Sequence, residues 1–401
     1  MTANYSNSQS ETDKWILVRG ARQLLTLHSR NALRRGAELS QLGLIVDGSV
    51  LIRNGIVESV GPTRRVENLS HARRAEVIDA SGRVVMPAFV DPYACLVPVP
   101  ACRQEQSAKP VNALPASRLE AQANNLLKVM ARHGTGSIGG LSGFGCDDTG
   151  ELKILRAMRA RNGRPLDIVS IFLVRQSNGN GANRELLQTV AKRQLAGIAA
   201  VRCGGGAVGW ESAEPFLWQA RSLGLQLQME VLPDRDPHAV AGALNLRVLS
   251  IASAGPLARM EIEEIAASET VAVLFPNSRG LTSEDARRLI AGNGLVALAS
   301  GLDPHNGSTA SMQTVIQHAL EVFGLSIEEA ISAATVNAAS ALGIGERAGA
   351  LEYRKQADLV LLNVSDYREI PLFGGTNLVH SLMKRGEIIF EDDFPGWPAR
   401  D

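Results

Sequence analysis

Short apolar runs alternate with amphipathic segments through the middle of the chain. Between about residues 88 and 343, each run rich in apolar and β-branched residues is followed by a stretch whose apolar positions have helical spacing. The predicted strands are 88–91, 136–141, 167–174, 197–202, 225–230, 247–252, 270–275 and 295–300. Because near-continuous apolar strands separated by helices are typical of a covered parallel sheet, eight such units predict an α/β fold, a (β/α)8 TIM-like barrel.

Both ends of the chain carry strand patterns without intervening helices. From residue 15 to about 86, short apolar runs alternate with turns, and Asn54-Gly55 between two such runs predicts a tight hairpin. Strand patterns return at 357–364 and 377–390. We therefore predict that the two chain ends together form one small all-β sandwich domain. The predicted boundaries are a disordered tail at 1–14, the β-sandwich domain at 15–86 and 350–395, and the barrel at 87–349.

Helix boundaries within the barrel are also marked. Ser117 and Ser326 are each followed three residues later by a glutamate, which is the pattern of a capping box. Gly324 and Gly343 stand where helices are expected to end. The sequence thus predicts helix starts at the two serines.

Composition narrows the class of protein. The 41 Lys and Arg residues balance 41 Asp and Glu residues, so the chain has no net field to attract nucleic acid or an anionic membrane. A hydrophobic fraction of 45% and a charged fraction of 20% are ordinary for a globular protein. Four cysteines without a CxxC pair predict neither a disulfide framework nor a structural zinc cluster. With no basic leader and no long apolar run, we expect a cytoplasmic protein.

In a (β/α)8 barrel, functional side chains collect at the carboxyl ends of the strands. Glu230 ends the fifth predicted strand, where nothing structural requires a charge, so we expect it to pair with Arg202 or to accept a hydrogen bond from Tyr93. Cys95, after the first strand, is a candidate nucleophile. The alternative interpretation of Cys95 is a small buried thiol that fills space.

Two further features of the sequence are candidates for a chemical role. The Cys-Gly-Gly-Gly segment at 203–206 follows the fourth strand, but it lacks the spacing of a phosphate-binding loop and is better interpreted as a tight turn. Of the seven histidines, only His238 and His305 are placed to face the mouth of the barrel, and a solvated loop histidine is the alternative for each.

Segments spread along the chain resemble a known family. They include ILVRGARQLLTL, VIDASGRVVMPAFVDP, ARHGTGSI, SGFG, ELKILR, TVAVLFP, GSTASMQ, AATVNAASALG, KQADLVLL and NLVHSLMKRG. In this order and spacing, from about residue 15 to 390, they resemble the amidohydrolase superfamily. Within it the resemblance is to the imidazolonepropionases, which open an imidazolone ring by metal-assisted hydrolysis.

The resemblance implies a divalent metal, usually Zn or Fe, but the residues expected to bind it are replaced. The positions of the implied ligands hold Tyr93 and Cys95 after strand one, Glu230 after strand five, Ser253 after strand six and Gly301 after strand eight. Pro233 stands where the resemblance implies a nearby acid. A shift in register after strand eight would bring Asp303 and His305 into use instead.

Implied substrate contacts are reduced as well. Phe144 replaces the tyrosine of an SGYG loop and so lacks its hydroxyl donor, and Leu141 stands where a lysine is implied. The segment after strand one lacks the implied arginine that would bind a carboxylate, and its cations are Arg103 and Lys109. Solvated loop charges are the simpler interpretation of these two residues.

Two hypotheses follow from the altered site. The first is an inactive amidohydrolase homologue with a binding or assembly role, no metal cofactor and no catalytic residue, because a metal needs three or four placed ligands. The second is a hydrolase of carbon–nitrogen bonds in a small cyclic amide, with a metal-free site or with ligands drawn from Cys95, Glu230, Asp303 and His305. For partners we expect a small molecule at the barrel mouth, a homodimer and a mixed assembly with an active relative, but neither nucleic acid nor membrane.

Overall fold

Eight parallel strands form the main sheet of this computed structural model. The structure describes residues 13–28, 33–97, 111–144, 147–175, 182–277, 281–303 and 309–392. The barrel strands, numbered one to eight in chain order, are Phe89–Ala94, Thr135–Leu141, Asp167–Val174, Ile198–Cys203, Gln226–Val231, Ser250–Ser253, Val271–Leu274 and Leu295–Leu298. Hydrogen-bonded neighbours follow chain order from strand one to strand eight. The predicted parallel barrel is confirmed.

The two edge strands of this sheet meet at the carboxyl end of the barrel. Ala94 of strand one forms a parallel bridge to Leu302, and the backbone N–H of Cys95 donates to the carbonyl of Leu302 at 2.7 Å. The Asp91 carboxylate also accepts a hydrogen bond from the Ser300 N–H at 3.1 Å. These contacts bring the segments after strands one and eight side by side.

The second sheet is built from both ends of the chain, as predicted. Its strands are Trp15–Leu25, Leu44–Arg53, Ile56–Pro62, Glu76–Asp79, Val84–Pro87, Leu359–Leu362, Val379–Lys384 and Glu387–Glu391. Val84–Pro87 pairs with Leu359–Leu362 in antiparallel register, and this pairing joins the two ends. At the predicted hairpin, Asn54 and Gly55 have φ values of 49° and 79°, as a two-residue turn of the favoured hand requires.

The predicted tail is only partly described. Residues 1–12 lie outside the described residues. Asp13 and Lys14 are held against the hairpin, because the Lys14 N–H donates to the Asn54 side chain at 2.9 Å and Asp13 forms an ion pair with Arg53 at 2.8 Å.

Most helices cover the outside of the barrel, whereas Thr63–Val66 packs against the second sheet. Those in the described ranges are Thr63–Val66, Ala116–Arg132, Asp148–Arg161, Ala182–Lys192, Trp210–Ser222, Ala239–Asn245, Arg259–Ala266, Ser283–Ala291, Met312–Phe323, Ile327–Ala333 and Val336–Ala341, with 3-10 turns at Gly36–Ser40, Ala72–Arg74, Val111–Ala113 and Tyr367–Leu372. In this part of the chain, none of the helices combines the length and apolarity that crossing a membrane would require. The capping box at Ser326 is confirmed. The one at Ser117 is wrong, because the helix begins earlier, at Ala116, after Pro115, whose fixed φ near −65° suits a helix entry.

Apolar side chains in and beside the barrel strands are buried. Ile168, Ile171, Val248, Val271 and Val273 are all buried, as their sequence pattern predicts. Such burial stabilises the fold by roughly 25 cal/mol for each Å² of apolar surface removed from water.

A buried ion cluster links the two sheets. Lys384, on the second sheet, pairs with Asp167 at the start of barrel strand three at 2.8 Å and also with Asp358. Burial alone would raise the pKa of Asp167, but the charges of Lys384 and Arg385 lower it below its ordinary value. The cluster therefore ties the amino-terminal end of the barrel to the small sheet.

Candidate functional site

Side chains from four barrel strands meet at the carboxyl end of the barrel. Tyr93 lies near the end of strand one, Arg202 in strand four and Glu230 in strand five. Asp303 follows strand eight. All four are buried, and the closing of the barrel brings them together from distant points of the sequence.

Glu230 is the centre of this cluster. One carboxylate oxygen, Oε2, accepts a hydrogen bond from the Tyr93 hydroxyl and another from Arg202 Nε, the latter at 2.6 Å. Both partners expected from the sequence are therefore present. A second guanidinium nitrogen of Arg202 donates to the Tyr93 hydroxyl at 3.2 Å, which closes a triangle of three side chains.

Arg202 also faces the Asp303 carboxylate, at 3.7 Å. Burial alone would lower the pKa of Arg202, but Tyr93 and Glu230 raise it above its ordinary value. Burial, followed by the charge of Glu230, raises the pKa of Tyr93. The cluster therefore holds a permanent cation, two carboxylates and a protonated phenol.

Ser253 and Gly301 also stand at positions of implied metal ligands, and each has a local structural role. The Ser253 hydroxyl donates to the carbonyl of Gly255 at 2.5 Å. Gly301 has a φ of 61°, and a Cβ there would lie 3.0 Å from the Phe275 ring. Phe275 in turn packs edge-on against Tyr93, with ring centroids 5.0 Å apart.

Cys95 has the surroundings of a structural thiol. It is buried, and its Sγ donates to the carbonyl of Val97 at 3.4 Å. Burial, with a smaller contribution from Asp303, raises the pKa of Cys95 to about 12. A thiol in this state carries almost no thiolate at neutral pH, so the geometry favours the buried-thiol interpretation over the nucleophile.

Phe144 is paired with a cation that sequence reasoning missed. The Arg175 guanidinium, just after strand three, lies 4.4 Å from the centre of the Phe144 ring, and it reaches the Gly143 carbonyl at 3.5 Å. Burial, and then repulsion from Arg202, lower the pKa of Arg175. Its buried Nε has no hydrogen-bond partner among the described residues. Only the meeting of two distant loops reveals this pair.

Asp91 was also missed as a functional candidate. It lies in strand one and is fully buried; Oδ1 accepts from the N–H groups of Tyr93 and Ser300, at 3.3 and 3.1 Å. Its Oδ2 has no hydrogen-bond partner in the described part of the chain. Burial raises the pKa of Asp91 to about 6. A charged residue inside an apolar strand was the available sequence signal.

Several predicted positions do not join the cluster. His305, Arg103 and Lys109 lie outside the described residues. His238 is exposed beside the helix Ala239–Asn245, and Pro233 is also exposed. The glycines of the 203–206 segment all have positive φ values and form a turn, since the Ala207 N–H donates to the Gly204 carbonyl at 2.9 Å. The tight-turn interpretation is confirmed.

The donor set does not fit the divalent metal that the sequence resemblance implies. A metal ion at this end of the barrel would compete with the Arg202 guanidinium for Glu230 and Asp303. Burial raises the pKa of Tyr93 and of Cys95, so a metal ion that used either side chain as a ligand would first have to displace its proton. Among the residues described, no group of three His, Cys, Asp or Glu side chains is arranged to hold a metal ion.

Comparison with known proteins places this geometry in a family. The amidohydrolase family model matches residues 251–389. The imidazolonepropionase of Parabacteroides distasonis is 31% identical over 413 residues, covering 93% of this chain and 98% of the relative. The chain is an imidazolonepropionase-like member of the amidohydrolase family. The imidazolonepropionase of Geobacillus kaustophilus is 30% identical, and the match covers 94% of this chain and 98% of the relative.

Solved structures share the fold of this imidazolonepropionase-like chain. Escherichia coli guanine deaminase matches with a TM-score of 0.72 at 14% identity, covering 96% of this chain and 100% of that one. Aspergillus niger ochratoxinase matches with a TM-score of 0.72 at 16% identity, covering 97% and 99%. At such low identity, these matches support the barrel architecture alone.

Proposed function

We propose that this protein is an imidazolonepropionase-like homologue that does not perform metal-assisted hydrolysis and acts instead by binding or assembly. The carrying observation is the Arg202 guanidinium held between Glu230 and Asp303. A divalent cation beside this guanidinium meets like-charge repulsion and lacks the three or four ligands it needs. The positive charge that balances Glu230 and Asp303 is therefore supplied by Arg202 and not by a metal ion.

The described part of the barrel mouth supports a binding role. Arg175 lies against the Phe144 ring and retains a buried N–H group without a partner in the described chain. A planar guanidinium in this state suits an anionic group of a small molecule. A ligand that entered the mouth would meet the partly exposed Arg175 side chain.

The direct test combines metal analysis with an activity assay. Protein purified without chelator and without a metal-affinity tag should hold far less than one equivalent of Zn, Fe or Mn. It should not open imidazolone propionate under conditions in which the Parabacteroides distasonis imidazolonepropionase does. Metal retained in stoichiometric amount through dialysis, together with turnover, would contradict the proposal and favour a rebuilt active site.

Restoring the implied ligands tests whether Arg202 is the obstacle. One variant carries Tyr93→His, Cys95→His, Glu230→His, Ser253→His and Gly301→Asp, and a second adds Arg202→Met. We expect zinc uptake mainly in the second variant, because only there is the competing cation removed. Neither should hydrolyse well, since the acid implied at Pro233 is still missing. Equal zinc uptake by both folded variants would show that Arg202 does not exclude the metal.

The assembly part of the proposal is a homodimer, with mixed assembly with an active relative as its extension. It rests on the resemblance to the amidohydrolase superfamily, whose enzymes are commonly oligomeric. Light scattering should give about twice the 42.8 kDa chain mass. A monomer at micromolar concentration would exclude the homodimer, and failure to co-purify an active relative would exclude the mixed assembly. A cytoplasmic location belongs to the same proposal and is supported by the low cysteine content.

A further inference from the structure

A cavity lies at the opposite end of the barrel from the Arg202 cluster. It has a volume of about 550 Å³, and its walls include the starts of strands three, four and five at Ile168, Ile198 and Gln226. Gln226 precedes Glu230 by four residues, which separates the cavity from the cluster by about 13 Å along the strand. The volume is within the range of small-molecule sites.

The walls combine an apolar surface with polar groups. Leu195, Leu225 and Ile344 supply apolar surface, while Ser170 and Gln226 supply hydrogen-bonding groups. Among the described residues, the lining contains Arg159 and Arg347 and neither aspartate nor glutamate. The cavity is therefore suited to a molecule with an uncharged body and an anionic end.

Further arginines adjoin the cavity. A neighbouring depression shares Arg159 and Leu195 with it and adds Arg156 and Arg193. The Arg159 guanidinium donates to the backbone carbonyl of Arg193, which holds it between the two spaces. Within the described ranges, none of these four arginines forms an ion pair, although arginines elsewhere in the protein commonly do. Guanidinium groups that form no ion pair with a carboxylate can attract anions.

We propose that this cavity binds a small organic phosphate of about the size of a nucleotide. A phosphate group offers several oxygens to the fork-shaped donors of arginine, and a diphosphate spans more than one guanidinium. The uncharged part of the ligand would lie on the apolar surface near Leu195 and Ile344. The site is distinct from the barrel mouth, so it does not depend on whether the mouth is catalytic.

Gly197 provides a charge-neutral test of the cavity. It lines the cavity, its φ lies outside the left-handed region, and a Cβ added there meets no atom within 4 Å. Gly197→Leu should therefore fill the space without changing the charge. Arg159→Gln and Arg347→Gln remove charge without filling the space. Arg73→Gln, on an exposed 3-10 turn of the small sheet, is the matched control for the loss of one positive charge.

The experiment is titration calorimetry with ADP. Pyrophosphate and adenosine, which correspond to the two parts of the ADP molecule, are titrated separately. We expect saturable ADP binding with a Kd below about 1 mM, and weaker binding of each half. Each arginine variant and Gly197→Leu should weaken ADP binding at least about tenfold, while Arg73→Gln leaves it unchanged. Circular dichroism verifies that each variant is folded. If Gly197→Leu does not fold, the arginine variants decide the outcome.

Three results would overturn the proposal. The first is the absence of saturable binding, below about 1 mM, of ADP and of two simpler organic phosphates, glucose 6-phosphate and glycerol 3-phosphate. The second is ADP binding that persists in the folded arginine variants. The third is an equal loss of binding in Arg73→Gln, which would indicate attraction to the general surface charge rather than to this cavity.

Discussion

At the scale of single residues, the buried charge of Arg202 determines the state of the barrel mouth. Its side chain is only 11% exposed, and that of Glu230 is 4% exposed. At such burial each charge depends on its partner, because removing one leaves the other without water or a counter-ion. The contact joins strands four and five, and Tyr93 extends it to strand one.

Replacing Arg202 with methionine should therefore destabilise the protein strongly. We expect Arg202→Met to lower the free energy of unfolding by roughly 3–5 kcal/mol, because Glu230 is left buried without the cation that it contacts. The measurement is chemical denaturation at pH 7. Adding Glu230→Gln to this variant should recover part of the loss, and a double-mutant cycle then gives the coupling energy. A loss no larger than that of a surface arginine, such as Arg73→Gln, would refute the prediction.

Asp91 should make stability depend on pH in an uncommon direction. Its folded pKa of about 6 lies above the ordinary value of 3.8, so the folded state binds the extra proton. The stability from this group is complete below about pH 4 and is lost as the pH rises through about 6. In Asp91→Asn, which cannot ionise, stability relative to the native chain should rise by roughly 2 kcal/mol between pH 4 and pH 7.

Asp366 provides a control, because its contribution to stability should change with pH in the opposite direction. The hydrogen bond from the Arg368 side chain lowers the pKa of Asp366 to about 2. Its contribution to stability is therefore present above about pH 4 and is lost as the pH falls toward 2. A flat difference between Asp91→Asn and the native chain across pH 4–7 would mean that Asp91 does not retain its proton in the folded protein.

At the scale of elements, the Asn54-Gly55 hairpin illustrates a local signal with a tertiary consequence. The turn needs positive φ at both positions, which the sequence pattern encodes directly. Gly55 also packs against another segment, because a Cβ there would lie 2.4 Å from the backbone carbonyl of Arg385. The turn thus contacts the strand pair formed by the carboxyl-terminal part of the chain.

Gly55→Ala should lower stability by more than the strain of a positive φ alone, because the added Cβ also meets the Arg385 carbonyl. Gly82 has a similar φ of 76°, but a Cβ there meets nothing within 4 Å, so Gly82→Ala measures the cost of the backbone conformation alone. That cost is roughly 1–2 kcal/mol. In thermal denaturation, the melting temperature of Gly55→Ala should be clearly lower than that of Gly82→Ala. Equal melting temperatures would show that the hairpin does not press against Arg385.

At the scale of the whole molecule, Lys384 couples the barrel to the small sheet. Its side chain is 4% exposed and lies between two carboxylates, one from each unit. Lys384→Met should lower the free energy of unfolding by roughly 3–5 kcal/mol, since both carboxylates lose their buried cation. Denaturation followed by circular dichroism measures the loss. Replacing Asp167 and Asp358 by asparagine as well should restore much of it, and an unchanged deficit would contradict this explanation.

The fold as a whole should not depend on a metal ion. The barrel core consists of strand side chains such as Ile171 and Val273, and its carboxyl end is held by Arg202 and its carboxylates. Incubation with chelator should therefore leave the melting temperature unchanged. A fall of many degrees, reversed by adding metal, would reveal an ion that contributes folding energy.

The sequence by itself determined the features that depend on local patterns. The barrel strands follow from apolar runs, and the hairpin and the glycine turn after strand four follow from residues that tolerate positive φ. The pairing of Glu230 with Arg202 was also accessible, because a charge at a strand end requires a partner. Local rules failed at Ser117, where the preceding proline set the helix start.

Only the tertiary structure decided how distant residues share one buried space. Tyr93 and Glu230 are 137 residues apart, and their contact exists because the barrel brings strands one and five to face each other across its interior. The Asp91 and Arg175 atoms that have no hydrogen-bond partner among the described residues are likewise buried by other segments of the chain. Burial and neighbouring charge set protonation and pairing, and a linear sequence carries neither until the chain has folded.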